Sequence, residues 1–79
     1  MGWDFYEGVH RYELVANALR HQIREGVYRP GDRLPTQHDL ARIYKIGFNT
    51  VQHALDILGR EGYVVRKVGV GTYASLPDQ

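Results

Sequence analysis

Two short amphipathic helical patterns, separated by only a few residues, constrain this chain more than any other feature. The first pattern predicts a helix that ends near Tyr44 or Lys45. Its buried side comprises Leu40, Ala41, Ile43 and Tyr44. The second pattern predicts a helix from about Phe48 to Gly59 or Arg60. Its inward side comprises Val51, Ala54, Leu55 and Leu58.

Ile46 and Gly47 leave room only for a tight turn between these helices. Thr36 is a candidate N-cap for the first of them, and Asp39 three residues later is close to the capping-box pattern. Two short helices joined by such a turn form a helix-turn-helix, whose second helix can enter the major groove of duplex DNA.

A longer helical pattern precedes this pair. From Arg11 to Glu25 the apolar residues recur at helical spacing, and Gly26 suits the left-handed residue that ends a helix. Residues 1–9 show no clear period, so we expect an irregular N-terminal arm over residues 1–10. Val27-Tyr28 is predicted to be a short extended piece, and Pro30-Gly31 a turn.

A β-hairpin is predicted after the last helix. Residues 63–67 read as a strand, residues 68–71 as a tip in which two glycines permit positive φ, and residues 72–74 as the returning strand. The predicted fold is therefore mainly α with a small β-hairpin, a winged helix-turn-helix of three helices plus a wing. We expect the domain to span residues 11–75, with residues 76–79 as a tail or linker.

Composition excludes several other classes of protein. The 79 residues hold one small core, contain no cysteine and show no apolar run near the roughly 20 residues of a membrane span. The four histidines are far apart and none pairs at i, i+4, so we expect no metal and no cofactor. No nucleophile–base pair or phosphate loop is visible, and we predict a cytoplasmic protein that is not an enzyme and does not associate with a membrane.

The sequence resembles the DNA-binding domain of the GntR family of bacterial transcriptional regulators. The matching segments run from about Tyr12 to Tyr73 and include Pro30–Thr36, Asp39–Ala41, Glu61-Gly62 and Gly69–Tyr73. The resemblance implies a sequence-specific DNA-binding module of a repressor that acts as a homodimer on a palindromic double-stranded operator. It also implies that a small-molecule effector binds a separate C-terminal domain.

Several positions depart from the family pattern. Thr36-Gln37 stands where the family usually has Ser-Glu, and His38 where it often has Arg. Gly47 replaces the usual Ser cap, while Phe48 and Gln52 each replace an Arg. Arg pairs with guanine, whereas Gln and Asn match adenine, so the family's usual base preference does not transfer to this chain.

The candidate DNA-contacting residues are Thr36, His38, Lys45, Phe48, Asn49, Thr50, Gln52, His53, Arg66, Lys67 and Gly69. Plainer roles stay open for several of them. Thr36 can serve as a helix cap only, and Gly69 as a turn residue only. Phe48 either packs on a neighbour or meets DNA, where it can contact a thymine methyl, stack or act as a wedge. The charges at Arg66 and Lys67 either contact phosphates or are simply solvated.

A second hypothesis is a winged helix that binds protein with little DNA affinity. The net charge of only +1 and the missing arginines favour it. In this hypothesis Phe48 joins Tyr28, Tyr44 and Tyr63 in an exposed apolar patch.

Overall fold

A computed structural model describes the backbone of residues 3–77 and the side chains of residues 11–77. Three helices are followed by a two-stranded antiparallel hairpin, as predicted. Their bounds are α1 Trp3–Arg24, α2 Gln37–Tyr44, α3 Phe48–Glu61, β1 Val64–Lys67 and β2 Gly71–Ala74. None of the helices within residues 3–77 combines the length and the apolar character that crossing a bilayer requires.

Helix α1 begins at Trp3, so the prediction of irregular structure over residues 3–9 was wrong. Gly8 lies inside the helix, where one glycine costs only about 1 kcal/mol relative to alanine. The neighbouring helical turns offset this cost, and no proline interrupts them. Residues 1 and 2 lie outside the described part of the chain, and a domain boundary at residue 10 stays a prediction.

The segment after α1 closes the helix end instead of forming the predicted extended piece. Gly26 has φ 85°, and the backbone N–H groups of Val27 and Tyr28 both donate to the Gln22 carbonyl, at 2.8 and 3.4 Å. The extended contact falls later, at Arg33, which forms an isolated bridge with Tyr73. The prediction of an extended piece at Val27-Tyr28 was therefore wrong, because the backbone N–H groups of these residues bond to a carbonyl that the last turn of α1 leaves without a helical partner.

The core lies between α1, α2, α3 and the base of the hairpin. Its members are Val15, Ala16, Leu19, Ile23, Leu34, Leu40, Val51, Ala54, Leu55, Leu58, Tyr63, Val64 and Ala74. Ile43 was wrongly placed on the buried side, because 59% of its surface is exposed. At about 100° per residue, Ile43 is rotated to one side of Leu40, while Ala41 and Tyr44 are rotated to the other and pack on the core.

The hairpin is tied at its base to the loop before α2. β1 pairs with β2 in a register that sets Val64 opposite Ala74 and Lys67 opposite Gly71. Gly31 N–H donates to the Ala74 carbonyl, and Ala74 N–H donates to the Asp32 carbonyl, both at 2.8 Å. These bonds set the direction in which the tip projects.

Two glycines three residues apart give a matched stability test. Gly59 lies inside α3, where an added Cβ would meet only Val64 Cγ2 at 3.9 Å. Gly62 is the left-handed C-cap at φ 89°, where an added Cβ would lie 3.3 Å from Pro77 Cα. We predict that Gly59→Ala raises the free energy of unfolding by about 0.5–1 kcal/mol. Gly62→Ala lowers it by at least about 1 kcal/mol.

Urea unfolding followed by circular dichroism measures both changes. Equal effects of the two substitutions, or a loss of stability in Gly59→Ala, would contradict the assigned helix end.

Candidate nucleic-acid interface

Thr36 caps the N-terminus of α2, as predicted. Its backbone is extended, at φ −67° and ψ 163°, and its Oγ1 accepts a hydrogen bond from Asp39 N–H at 3.0 Å. The Asp39 carboxylate accepts from the Arg42 guanidinium at 2.6 Å. The Thr36 hydroxyl is exposed and keeps a proton to donate, so capping and contact with an anion are compatible.

The turn between α2 and α3 depends on Lys45. This residue has left-handed geometry, φ 56° and ψ 49°, and its N–H donates to the last turn of α2. Ile46 N–H donates to the Ala41 carbonyl at 3.0 Å. Beside the turn, burial first and then electrostatic repulsion from Tyr28 raise the pKa of Tyr44 above its ordinary value, so Tyr44 stays a neutral phenol at neutral pH.

An aromatic pair joins the starts of α2 and α3. The ring centroids of His38 and Phe48 are 4.6 Å apart, with the ring planes tilted by 38°. Gln37 Nε2 donates to the Phe48 carbonyl at 3.5 Å, which adds a weak second link. Phe48 therefore packs on a neighbour, and yet 41% of its surface stays exposed.

The outer face of α3 is polar and uncharged over its first two turns. Asn49, Gln52 and His53 are exposed, whereas Thr50 is half-buried. The His53 ring packs against the Tyr12 ring of α1 in a tilted arrangement, with ring planes at 59° and centroids 4.2 Å apart. Asn49 and Gln52 therefore present their amides outward, while one side of His53 is already covered by α1.

Arg66 connects the wing to both helices of the helix-turn-helix. Its Nη1 forms a short ion pair with Asp56 of α3, and its Nη2 donates to Gln37 Oε1 of α2 at 3.2 Å. The other wing cation, Lys67, places its Nζ 5.1 Å from the centre of the Tyr73 ring. Both cations contact neighbouring side chains, and both remain exposed.

Arg33 also contacts the wing, although the sequence did not identify it as a candidate site residue. Its Nη2 donates to the Val70 carbonyl at 2.8 Å, and its Nε lies 2.9 Å from where a Cβ on Gly71 would be. Gly71 adopts φ 154°, a backbone conformation that favours glycine, and an added Cβ would also make the flexible end of the Arg33 side chain shift. The pairing of Arg33 with the wing is non-local, which is why no local pattern revealed it.

A groove of about 660 Å³ runs between the start of α2 and the wing. It brings together Arg33 and five predicted site residues: Thr36, His38, Arg66, Lys67 and Gly69. The outer face of α3, with Phe48, Asn49, Thr50, Gln52 and His53, adjoins this groove through the contact of His38 with Phe48. Lys45 lies apart, in a depression lined by Leu14 and Ile46.

The apolar patch expected for a protein-binding module does not form. Tyr63 is 4% exposed and belongs to the core, while Tyr28 and Tyr44 pack against the core as half-buried rings. Among the side chains of residues 11–77, no three His, Asp or Glu residues are grouped to hold a metal ion.

A helix-turn-helix with a basic wing beside its second helix defines a winged-helix DNA-binding domain. The family model for bacterial regulatory proteins of the gntR family matches residues 11–74. The chain therefore belongs to the GntR family of bacterial regulatory proteins, and the matched domain is a DNA-binding fold that is not enzymatic.

Relatives and solved structures agree with this assignment. The chain is 39% identical over 66 residues to the Histidine utilization repressor of Klebsiella aerogenes, covering 84% of this chain and 27% of that protein. It is 37% identical over 65 residues to the HTH-type transcriptional regulator YdcR of Escherichia coli, covering 82% of this chain and 14% of that protein. Its fold matches the AraR DNA-binding domain in complex with operator ORE1, with a TM-score of 0.80 at 23% identity over 82% of this chain and 79% of that one.

The Thr36 cap can be tested with two matched substitutions. Thr36→Val keeps the branched shape but removes the acceptor for Asp39 N–H, whereas Thr36→Ser keeps the acceptor. We expect Thr36→Val to lower the free energy of unfolding by about 1 kcal/mol and Thr36→Ser to change it by much less. Urea titrations of the three proteins measure the difference. Equal stability of the Ser and Val variants would show that the hydroxyl does not cap α2.

Proposed function

We propose that this domain reads an operator for a GntR-type repressor, with α3 in the major groove and the wing on the adjacent backbone or minor groove. The observation that carries the proposal is the continuity of one surface. The exposed amides of α3 adjoin a groove that contains Arg33, Arg66 and Lys67. Amides read base edges and cations hold phosphates, so this division matches the two kinds of contact that a specific DNA-binding protein makes.

The proposed contacts follow from that division. Asn49 and Gln52 contact base edges, and Phe48 lies beside them on the same face. Thr36, His38, Thr50 and His53 contact phosphates or edges at the margin of the major groove, and Lys45, which lies apart from the groove beside the wing, contacts a phosphate. At the wing, Arg66 and Lys67 contact phosphates, and the Gly69 backbone approaches the DNA closely.

We propose that two copies bind the two halves of a palindromic operator. One α3 covers only a few base pairs, and two half-sites about one helical turn apart supply the remaining specificity. The chain spans less than a third of the length of either relative described above. Effector binding and dimerisation are therefore proposed to belong to a further domain of the regulator, which acts in the cytoplasm.

Random-sequence selection with the purified chain tests the proposal. We expect enrichment of one duplex motif and binding that weakens steeply as salt rises, because phosphate contacts release counterions. Failure to bind any duplex at low salt would overturn the proposal. In that outcome the protein-binding hypothesis would be the one to pursue.

Arg66→Ala separates phosphate contact from base reading. We expect this variant to bind all duplexes more weakly by a similar factor, and the slope of log affinity against log salt to fall by about one. Fluorescence anisotropy over a range of salt concentrations measures both quantities.

Arg29→Ala is the matched control for Arg66→Ala. Arg29 is an arginine beside the turn at residues 31–32, which bonds to the base of the hairpin, so it lies away from the hairpin tip. An unchanged salt slope in Arg66→Ala would remove Arg66 from the interface.

A further inference from the structure

The ring of Phe48 occupies an unusual place on the surface proposed to read DNA. It is the first residue of α3, and no residue from Phe48 to Leu55 carries a formal charge. The ring remains 41% exposed although it already stacks on His38. An apolar ring that stays in water beside polar amides is a surface that an apolar partner would cover favourably.

The contacts of this ring decide how it can meet DNA. A wedge that enters between base pairs has to project beyond its own helix. His38 lies against the Phe48 ring, and Gln37 donates to the Phe48 carbonyl, so both neighbours hold the start of α3 against α2. The exposed part of the ring is the part available to DNA, and its contact with His38 favours contact with base edges over insertion into the base stack.

Only one apolar group is available on base edges in the major groove, the 5-methyl group of thymine. Thymine also presents the O4 acceptor, but a G·C pair presents hydrogen-bonding atoms and no methyl group, and covering those atoms with a phenyl ring would leave them without partners. The shape and chemistry of the Phe48 ring thus favour thymine and disfavour a G·C pair at the same position.

Gln52 supports the same preference from an adjacent position. It lies four residues after Phe48, so the two side chains occupy one face of α3, with Cβ atoms about 6 Å apart. An exposed glutamine amide pairs with adenine N6 and N7. Two consecutive base-pair steps cover a similar length, about 7 Å.

We propose that Phe48, backed by His38, contacts a thymine methyl group within two base pairs of an adenine read by Gln52. Each half-site then contains a short A·T-containing element in place of guanines read by arginine. This inference rests on the proposed operator binding and specifies which base class that surface selects.

Replacement of thymine by deoxyuridine tests the contact, because it removes the methyl group and leaves base pairing intact. The duplex is the one enriched by random-sequence selection, and each thymine in a half-site is replaced in turn. We expect one replacement to weaken binding about fourfold, the value of one buried methyl group. Thymines outside the half-sites serve as controls and are expected to show no effect.

Variants of the chain assign the methyl contact to Phe48. In Phe48→Ala we expect lower affinity for the thymine duplex and a thymine-to-uracil affinity ratio near one. Gln52→Ala is expected to lose affinity but keep the ratio of the unsubstituted protein. His38 is a positioning residue. We expect His38→Ala to lower the thymine-to-uracil affinity ratio, and His38→Tyr, which retains a ring, to preserve it. Helical circular dichroism verifies that each variant is folded.

The outcomes separate this inference from the proposed function. An enriched operator whose half-sites are insensitive to uracil would overturn the thymine contact and leave operator binding intact. A ratio that is the same in Phe48→Ala and in the unsubstituted protein would assign the methyl contact to another residue. A selection that enriches no sequence would overturn both proposals together.

Discussion

Burial of one face of α3 is the constraint on which the rest of the structure depends. Val51, Ala54, Leu55 and Leu58 are each at most 1% exposed and pack within the core shared with α1. Because this face is fully covered, the rotation of α3 about its axis is determined. Phe48, Asn49 and Gln52 must then face outward, whatever their own preferences. The same apolar residues that stabilise the domain therefore orient the surface proposed to read DNA.

Local patterns in the sequence predicted much of the fold because its elements follow local rules. Thr36 capped α2 and the glycines at the hairpin tip adopted positive φ, since each of these depends on residues only a few positions away. Two predictions were wrong for different reasons. Val27-Tyr28 is not extended because it bonds to the end of α1. Ile43 is exposed because α2 contacts the core only along the side that carries Leu40, Ala41 and Tyr44.

The candidate site was less predictable than the fold, because its decisive contacts join residues that are distant in sequence. Arg33 meets Val70 across the wing, and Arg66 meets both Asp56 and Gln37. No periodicity or motif encodes such pairs. Net charge was also a poor guide, since +1 describes the whole chain and not its distribution. A single groove is lined by Arg33, Arg66 and Lys67. Such a local concentration of cations attracts a phosphate backbone even when the net charge is small.

The ion pair between Arg66 and Asp56 affects how the domain would move along a chromosome. Arg66 is already paired with a carboxylate, so a phosphate that approaches it competes with Asp56 and does not neutralise an unpaired charge. Contact with an already paired cation adds less free energy than contact with an unpaired one would, on operator and random sequence alike. We expect short dwell times on non-operator DNA for this reason. A carboxylate on the recognition helix would thus favour rapid search, at the expense of holding tightly to whatever DNA is met first.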